Sequence, residues 1–226
     1  MCGRYVLFSS TETLVKGLER ELPGVGIVGS YANGNQRPNY NIAPTHVVPI
    51  ARMFHGQPAI GPAHWGYPPR TVFNARGETA FEKPTFRGSL TCLFPMDGWY
   101  EWTTTDPEGR AEPSGKQPYF TAREDGEPLW MAGLCKVVDG RLHSTIITTD
   151  APPGMEWLHN RMPKALTPDQ WEFWLTATVG SPEMRELAAT PAGEGVVSAL
   201  SSRKADRSVG NVSNNHAELI GGLGIE

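Results

Sequence analysis

Apolar positions recur along this chain with two spacings, one helical and one typical of strands. Leu14, Val15, Leu18 and Leu22 share a face at the 3.6-residue period. Ser9, followed three residues later by Glu12, supplies the capping box that starts such a helix, and Pro23-Gly24 ends it. Residues 29–39 crowd glycine, asparagine and proline, which predicts a surface loop. Strand-like stretches follow at 47–53, at 89–102 on both sides of an Asp97-Gly98 turn signal, and at 119–123, 129–138 and 143–149. A polar stretch over 105–117 predicts a loop. Thr167-Pro168 with Gln170, and Ser181-Pro182 with Glu183, each mark the start of a late helix. Residues 196–200 read as a last short strand. No repeat and no low-complexity linker interrupts the pattern. Residues 1–226 are therefore expected to form one domain, α+β, built mostly of short antiparallel strands.

Composition narrows the class without changing that picture. Charged residues make up 19% and apolar ones 39%, the balance of a folded globular chain rather than a disordered one. The 25 glycines and 20 prolines carry no period and fit many turns. No run of about 18 apolar residues exists, so no membrane span is expected. A basic segment followed by an apolar one is missing from the N-terminus, which argues against a secretory signal. Three cysteines, Cys2, Cys92 and Cys135, form no disulfide framework and fit a reducing cytosol. Asn211-Val212-Ser213 has the form of a glycosylation acceptor, a coincidence if the chain is not secreted. The net charge of −4 argues against wholesale coating of nucleic acid. A local basic cleft remains open, and Arg4, Arg76, Arg87, Arg161, Arg203 and Arg207 are spread so that they could converge on one.

The most distinctive chemistry sits at the second residue. A small residue behind Met1 favours removal of that methionine, which would leave Cys2 with both a thiol and a free α-amine. Such a 1,2-aminothiol condenses with an aldehyde to an imine through nitrogen, and the adjacent sulfur then closes a thiazolidine ring. The amine, with a reference pKa of about 7.7–8.0, is partly neutral at physiological pH. Against this stands the plain reading of an incidental cysteine near a terminus. Elsewhere, strand alternation in Asp97-Gly98-Trp99-Tyr100-Glu101-Trp102 puts Glu101 on the face of Trp99, with Tyr100 and Trp102 opposite. A carboxylate among large aromatics is suited to proton transfer if desolvation raises its pKa, and equally suited to a salt bridge at a strand rim. His159 lies two residues from Arg161 ahead of Pro163, in a loop where a histidine is often structural. Asn74-Ala75-Arg76 puts an amide and a guanidinium on one face of an extended segment, able to hold a sugar and a phosphate together.

Other chemistries find little footing. Neither Cys-x-x-Cys nor His-Glu-x-x-His occurs, so no metal is expected. The stretch from Gly109 to Lys116 has the wrong glycine spacing for a phosphate loop, and Gln117 stands where Ser or Thr would meet magnesium. A Gly-x-Ser-x-Gly elbow and a dinucleotide fingerprint are also missing.

The fragments occur together and in a fixed order. Met1-Cys2-Gly3-Arg4-Tyr5, Tyr40-Asn41-Ile42-Ala43-Pro44, His64-Trp65-Gly66, and Asn74-Ala75-Arg76-Gly77-Glu78-Thr79 precede the Asp97–Trp102 segment. Met131-Ala132-Gly133-Leu134, Thr148-Thr149 and His159-Asn160-Arg161-Met162-Pro163 follow it, then Val209-Gly210-Asn211-Val212 with Glu218-Leu219-Ile220. The series, over residues 2 to about 220, closely resembles the SOS response-associated peptidase (SRAP) family, whose members crosslink to abasic sites in single-stranded DNA. The resemblance implies a single SRAP domain of twisted antiparallel sheets forming an open, barrel-like core with flanking helices. It implies that Cys2 forms a thiazolidine with the ring-opened sugar and that Asn74 holds the aminothiol end and the sugar. Glu101 would be the acid/base that opens the sugar and collapses the imine, and His159 would assist proton transfer and reversal. Arg4, Arg76 and Arg161 would grip flanking phosphates, with Gly3, Pro44 and Thr148 lining the strand's path.

By the same resemblance the partner is abasic single-stranded DNA, met by a monomer that needs no cofactor. The expected location is the cytoplasm, at the nucleoid during DNA damage. Well-known members carry a longer loop between the Trp-Gly pair and the Asn-Ala-Arg triplet, with tryptophans that wedge against bases. Here residues 67–73 are only Tyr-Pro-Pro-Arg-Thr-Val-Phe, so either Tyr67 or Phe73 stacks on a base or the segment is a truncated connection. Two other readings use the same residues: a cysteine-type (auto)peptidase built on Cys2, and a non-catalytic single-strand binder in which Cys2 is incidental.

Overall fold

A computed structural model of the chain describes residues 2–29 and 37–221; residues 30–36 of the loop expected over 29–39 lie outside the described residues. The first half carries β1 (Tyr5–Leu7), α1 (Thr11–Glu19), β2 (Gly26–Ile27), β3 (Asn39–Ile42), β4 (Val47–Phe54), β5 (Gln57–Trp65), β6 (Asn74–Arg76), β7 (Leu90–Met96) and β8 (Gly98–Thr103). The second half carries β9 (Gln117–Arg123), β10 (Leu129–Val138), β11 (Arg141–Asp150), β12 (Arg161–Pro163), α2 (Pro168–Thr176), α3 (Pro182–Ala189), α4 (Glu194–Val197) and β13 (Leu200–Lys204).

The strands make two sheets. One runs β13-β9-β8-β1-β3 and the other β12-β11-β10-β7-β4-β5-β2, with β6 added to β11. In the second sheet β11 also pairs in parallel with β5, His143 opposite His64 and Ser144 opposite Trp65, so the sheet closes partly on itself. This is the α+β arrangement of mostly antiparallel sheets expected from the sequence. β11 is its junction, pairing with β10, β12, β5 and β6 within ten residues.

The Asp97-Gly98 signal does not make a hairpin. β7 belongs to the larger sheet and β8 to the smaller, and the chain crosses between them at Asp97. The buried Asp97 carboxylate fixes the crossing by accepting from the Phe8 and Ser9 amides (2.6 and 2.8 Å) and from the Ser9 hydroxyl (2.5 Å). A side chain at Gly98 would meet the Phe120 ring at 2.4 Å, so close approach explains the glycine. Ser9 is thereby occupied, and α1 begins one residue later than its pattern predicts, capped by Ser10 accepting from the Thr13 amide. Leu14 and Leu18 of that helix are fully buried, each contributing about 1.5–3 kcal/mol. The two later helices start at Pro168 and Pro182 as their caps predict.

The strand expected over 196–200 is a correction. α4 runs into it and the strand starts only at Leu200, where Leu200 to Lys204 pair with β9. Its Leu-Ser-Ser-Arg-Lys sequence buries little apolar surface, so edge pairing rather than hydropathy makes it a strand.

The main core takes residues from both sheets, including Cys2, Tyr5, Trp65, Phe94, Trp99 and Trp174. A smaller core of Val6, Tyr100, Phe120, Val209, Leu219 and Ile220 covers the other face of the smaller sheet. β8 alternates between them: Trp99 faces the main core, whereas Tyr100 and Trp102 pack with the smaller one. Among the described residues, no helix is long and apolar enough to cross a membrane.

Candidate active site

Cys2 lies just ahead of β1 with no exposed surface, its Sγ 3.9 Å from the Arg4 carbonyl. Burial pushes its thiol pKa up, and the nearby Glu101 carboxylate adds to the rise. The group is therefore a neutral thiol that needs a base, not a resting thiolate.

Asn74 opens β6, which β11 holds in parallel register through Ile146 opposite Asn74. Its Nδ2 donates to the Cys2 carbonyl at 2.8 Å, and because that carbonyl only accepts, the amide orientation is fixed. The buried Asn74 Oδ1 has no hydrogen-bond partner among the described residues. An unfilled acceptor beside Cys2 suits an incoming N–H or O–H.

Glu101 is buried on β8 and, with Trp99, Met155, Leu158, His159, Arg161 and Met162, walls a small cavity of about 10 Å³. His159 precedes β12 and its Nδ1 accepts from the Arg161 amide at 2.9 Å, which puts the proton of the neutral imidazole on Nε2. The four residues expected to carry chemistry are thus connected: Asn74 to Cys2 by a hydrogen bond, Cys2 to Glu101 by charge, and Glu101 to His159 by a shared cavity.

The residues expected to touch the strand separate into groups. Arg76, exposed on β6, lines an open cleft of about 660 Å³ together with Asn74, Glu78, Lys83, Asp150 and Arg161. Arg161 forms the floor of that cleft, only 8% exposed. Its Nη1 reaches Glu78 Oε1 (2.6 Å) and Asp150 Oδ1 (2.7 Å), while Nη2 reaches Glu78 Oε2 (2.9 Å) and the Thr148 carbonyl (2.6 Å). Burial opposes ionisation of Glu78, yet Arg161 holds its carboxyl below the usual carboxylate range. Thr148 of β11 is buried and sits in register with Arg76 of β6. Gly3 and Pro44 are half-buried. Arg4 points elsewhere: its guanidinium donates to Asn41 Oδ1 and to the Val209 and Gly210 carbonyls.

Glu78 and Asp150, which orient Arg161, were not singled out by sequence. Glu78 lay inside the Asn74–Thr79 motif, two residues beyond Arg76, while Asp150 had no signal beyond following Thr148-Thr149. The short 67–73 segment is a closed turn, with Tyr67 and Val72 exchanging both backbone hydrogen bonds (3.0 and 2.8 Å). Tyr67 is 1% exposed, its ring against Phe86 and its hydroxyl 2.9 Å from Ser89 Oγ, so it has no face to offer a base. Phe73 is half-buried, edge-on to Trp65. Among the described residues no cluster of three or more ligating side chains could hold a metal.

The chain has relatives among known proteins. The chain is 30% identical to the abasic site processing protein YedK of Escherichia coli (strain K12), over 97% of this chain and 99% of that one. It is 29% identical to the abasic site processing protein YobE of Bacillus subtilis (strain 168), over 84% and 89%. Among solved structures, a Bacteroides thetaiotaomicron protein superposes with a TM-score of 0.76 at 22% identity, covering 97% of this chain and 99% of the other. A phage-related protein from Bordetella bronchiseptica gives a TM-score of 0.68 at 28% identity, over 91% and 95%. The sequence profile of the SOS response associated peptidase (SRAP) family matches residues 1–212, and the chain belongs to that family.

Proposed function

We propose that this protein processes abasic sites in single-stranded DNA by covalent capture at Cys2 once Met1 has been removed. The observation that carries the reading is the buried Cys2, its carbonyl held by Asn74 and its thiol flanked by the Glu101 carboxylate. The names of YedK and YobE as abasic site processing proteins support the substrate class.

The Cys2 amine attacks the aldehyde of the ring-opened sugar, and the carbinolamine loses water to give an imine. Cys2 Sγ then adds to the imine carbon, forming the C–S bond, while the thiol proton passes to Glu101 and the nitrogen takes one up. The product is a thiazolidine. Asn74 Oδ1 accepts from the amine or a sugar hydroxyl, holding the reacting atoms together. His159, protonated on Nε2 when neutral, donates to the sugar oxygens and aids reversal. Arg76 and the rim of the 660 Å³ cleft take the flanking phosphates. All these groups come from one chain, so the reading needs no second copy.

The test is intact mass after incubation with an abasic single strand. A covalent adduct is expected with the wild type and none with Cys2→Ala, whose full-strength crosslinking would sink the assignment. An intact strand of the same sequence separates the alternatives. A peptidase or a plain binder has no need of the aldehyde.

A further inference from the structure

The C-terminal Val209-Gly210-Asn211 segment has no part in the chemistry above, yet it is tied to the reactive end of the chain. In a regular strand residues 2 and 4 share a face. Here Cys2 belongs to the main core, whereas Arg4 reaches Val209 of the smaller one, so the chain changes face at Gly3. What holds that change is a set of polar contacts spanning about the whole sequence. Arg4 Nη1 donates to Asn41 Oδ1 (2.9 Å) and to the Val209 carbonyl (2.6 Å), and Nη2 to the Gly210 carbonyl (3.4 Å). The guanidinium also lies 6.0 Å from the Trp102 ring centre. Asn41, 1% exposed, points its Nδ2 at the carbonyls of Val209 (3.2 Å), Asn211 (3.0 Å) and Asn214 (2.9 Å). The turn they grip is itself fixed, with Asp206 accepting from the Ser208 amide and Arg207 donating to the Ser114 and Lys116 carbonyls.

We infer that Arg4 and Asn41 are positioning residues that latch the N-terminus onto the C-terminal turn at 207–214 and so aim Cys2 between Asn74 and Glu101. The inference rests on the capture reading for its rate consequence, but not for its structural one. A guanidinium whose donors face three protein acceptors is set to orient the backbone that precedes β1, and a shift of about 1 Å in a reacting group is enough to cost about a hundredfold in rate. Lysine at position 4 can reach one carbonyl but lacks the planar fork that bridges Asn41 and Val209.

Two measurements on Arg4→Ala, Arg4→Lys and Asn41→Ala test this. In single-turnover capture of an abasic strand, the saturating rate is expected to fall about 10–100-fold in both alanine variants and less in Arg4→Lys, with half-saturation within about threefold of wild type. Affinity for an intact strand and its salt slope should not move. A lost phosphate contact would instead weaken affinity, flatten the salt slope by about 0.7 and spare the saturating rate, and that result overturns the inference. The second measurement is iodoacetamide labelling read by peptide mapping. Cys2 should label at least about tenfold faster in the alanine variants, with Cys92 and Cys135, both buried, staying protected as internal controls. Equal opening of all three cysteines would mean general loosening of the fold and would also overturn it. If the wild type captures no abasic strand, the capture reading fails, while the labelling result still decides the latch.

Discussion

The surroundings of Cys2 and the Arg161 floor meet at Asn74, which bonds the one and lines the cleft of the other, and they hold their polar groups differently. At the floor, a buried guanidinium meets two carboxylates and a carbonyl, and its geometry is fixed before any ligand arrives. Beside Cys2, Asn74 uses its donor on the Cys2 carbonyl and leaves a buried acceptor without a partner among the described residues. Four bonds through Nη1 and Nη2 make the floor rigid although the buried Arg161 Nε has no partner among the described residues, whereas the unfilled acceptor of Asn74 costs stability and is retained where a ligand will complete it. Of the three arginines expected to grip phosphate, only Arg76 is exposed, on the rim of the cleft; Arg161 is bound to Glu78 and Asp150, and Arg4 to Asn41 and the Val209 carbonyl.

The contrast breaks most visibly in the rate. Glu101→Gln should slow capture roughly 10²–10⁴-fold with intact-strand affinity preserved, and His159→Ala should slow capture or reversal more than it weakens binding. Equal losses of rate and affinity in both would make them structural residues and erase the distinction between the surroundings of Cys2 and the floor. Next in size, Arg161→Ala removes the buried partner of Glu78 and is expected to cost about 2–3 kcal/mol in denaturant unfolding. Arg76→Ala should leave stability within about 0.5 kcal/mol while weakening single-strand binding and lowering the salt slope by about 0.7. If the two variants exchange these signatures, floor and rim have been assigned the wrong way round.

Lys164 offers a third kind of buried polar group, its Nζ donating to the Thr190 carbonyl at the end of α3 (2.8 Å). It is 3% exposed, and burial lowers its pKa to about 8 from 10.5. Its folded value lies below its unfolded one, so the penalty for burying the charge is fully present below pH 8 and fades as the pH rises toward 10.5. Lys164→Met is therefore expected to stabilise the fold by about 1–2 kcal/mol at pH 7, less at pH 10, as read from paired urea titrations. The smallest effect belongs to the 67–73 turn. Tyr67→Phe should cost about 1 kcal/mol of stability through the lost Ser89 contact and leave affinity for an intact strand unchanged. Phe73→Ala decides whether any ring there stacks on a base, since a loss of about 1–3 kcal/mol in affinity would give Phe73 that role.

Much of this was legible in the chain itself. Alternation placed Trp99 apart from Tyr100 and Trp102 because a strand period of two leaves little freedom once both faces are covered. The caps at Thr167 and Ser181 located two helices because those signals are local. What stayed hidden was set by distant partners. Ser9 lost its capping role to Asp97, 88 residues away, and β13 became a strand only by pairing with β9. The orientation of Arg161 depends on Glu78, 83 residues earlier, and that of Arg4 on carbonyls 205 and 206 residues later. Residue type suggested phosphate for both arginines, and only the fold shows where their donors point.

The fourfold pairing of β11 bears on how the protein comes apart. That strand closes the larger sheet through β5, positions Asn74 and Arg76 through β6, and holds the segment after His159 through β12. Its amides should be among the slowest to exchange with solvent, opening with the global transition rather than by local fraying. No partly melted form can keep the cleft while opening the β11–β5 pairing, so loss of function on heating or in denaturant should coincide with loss of structure as a single cooperative event.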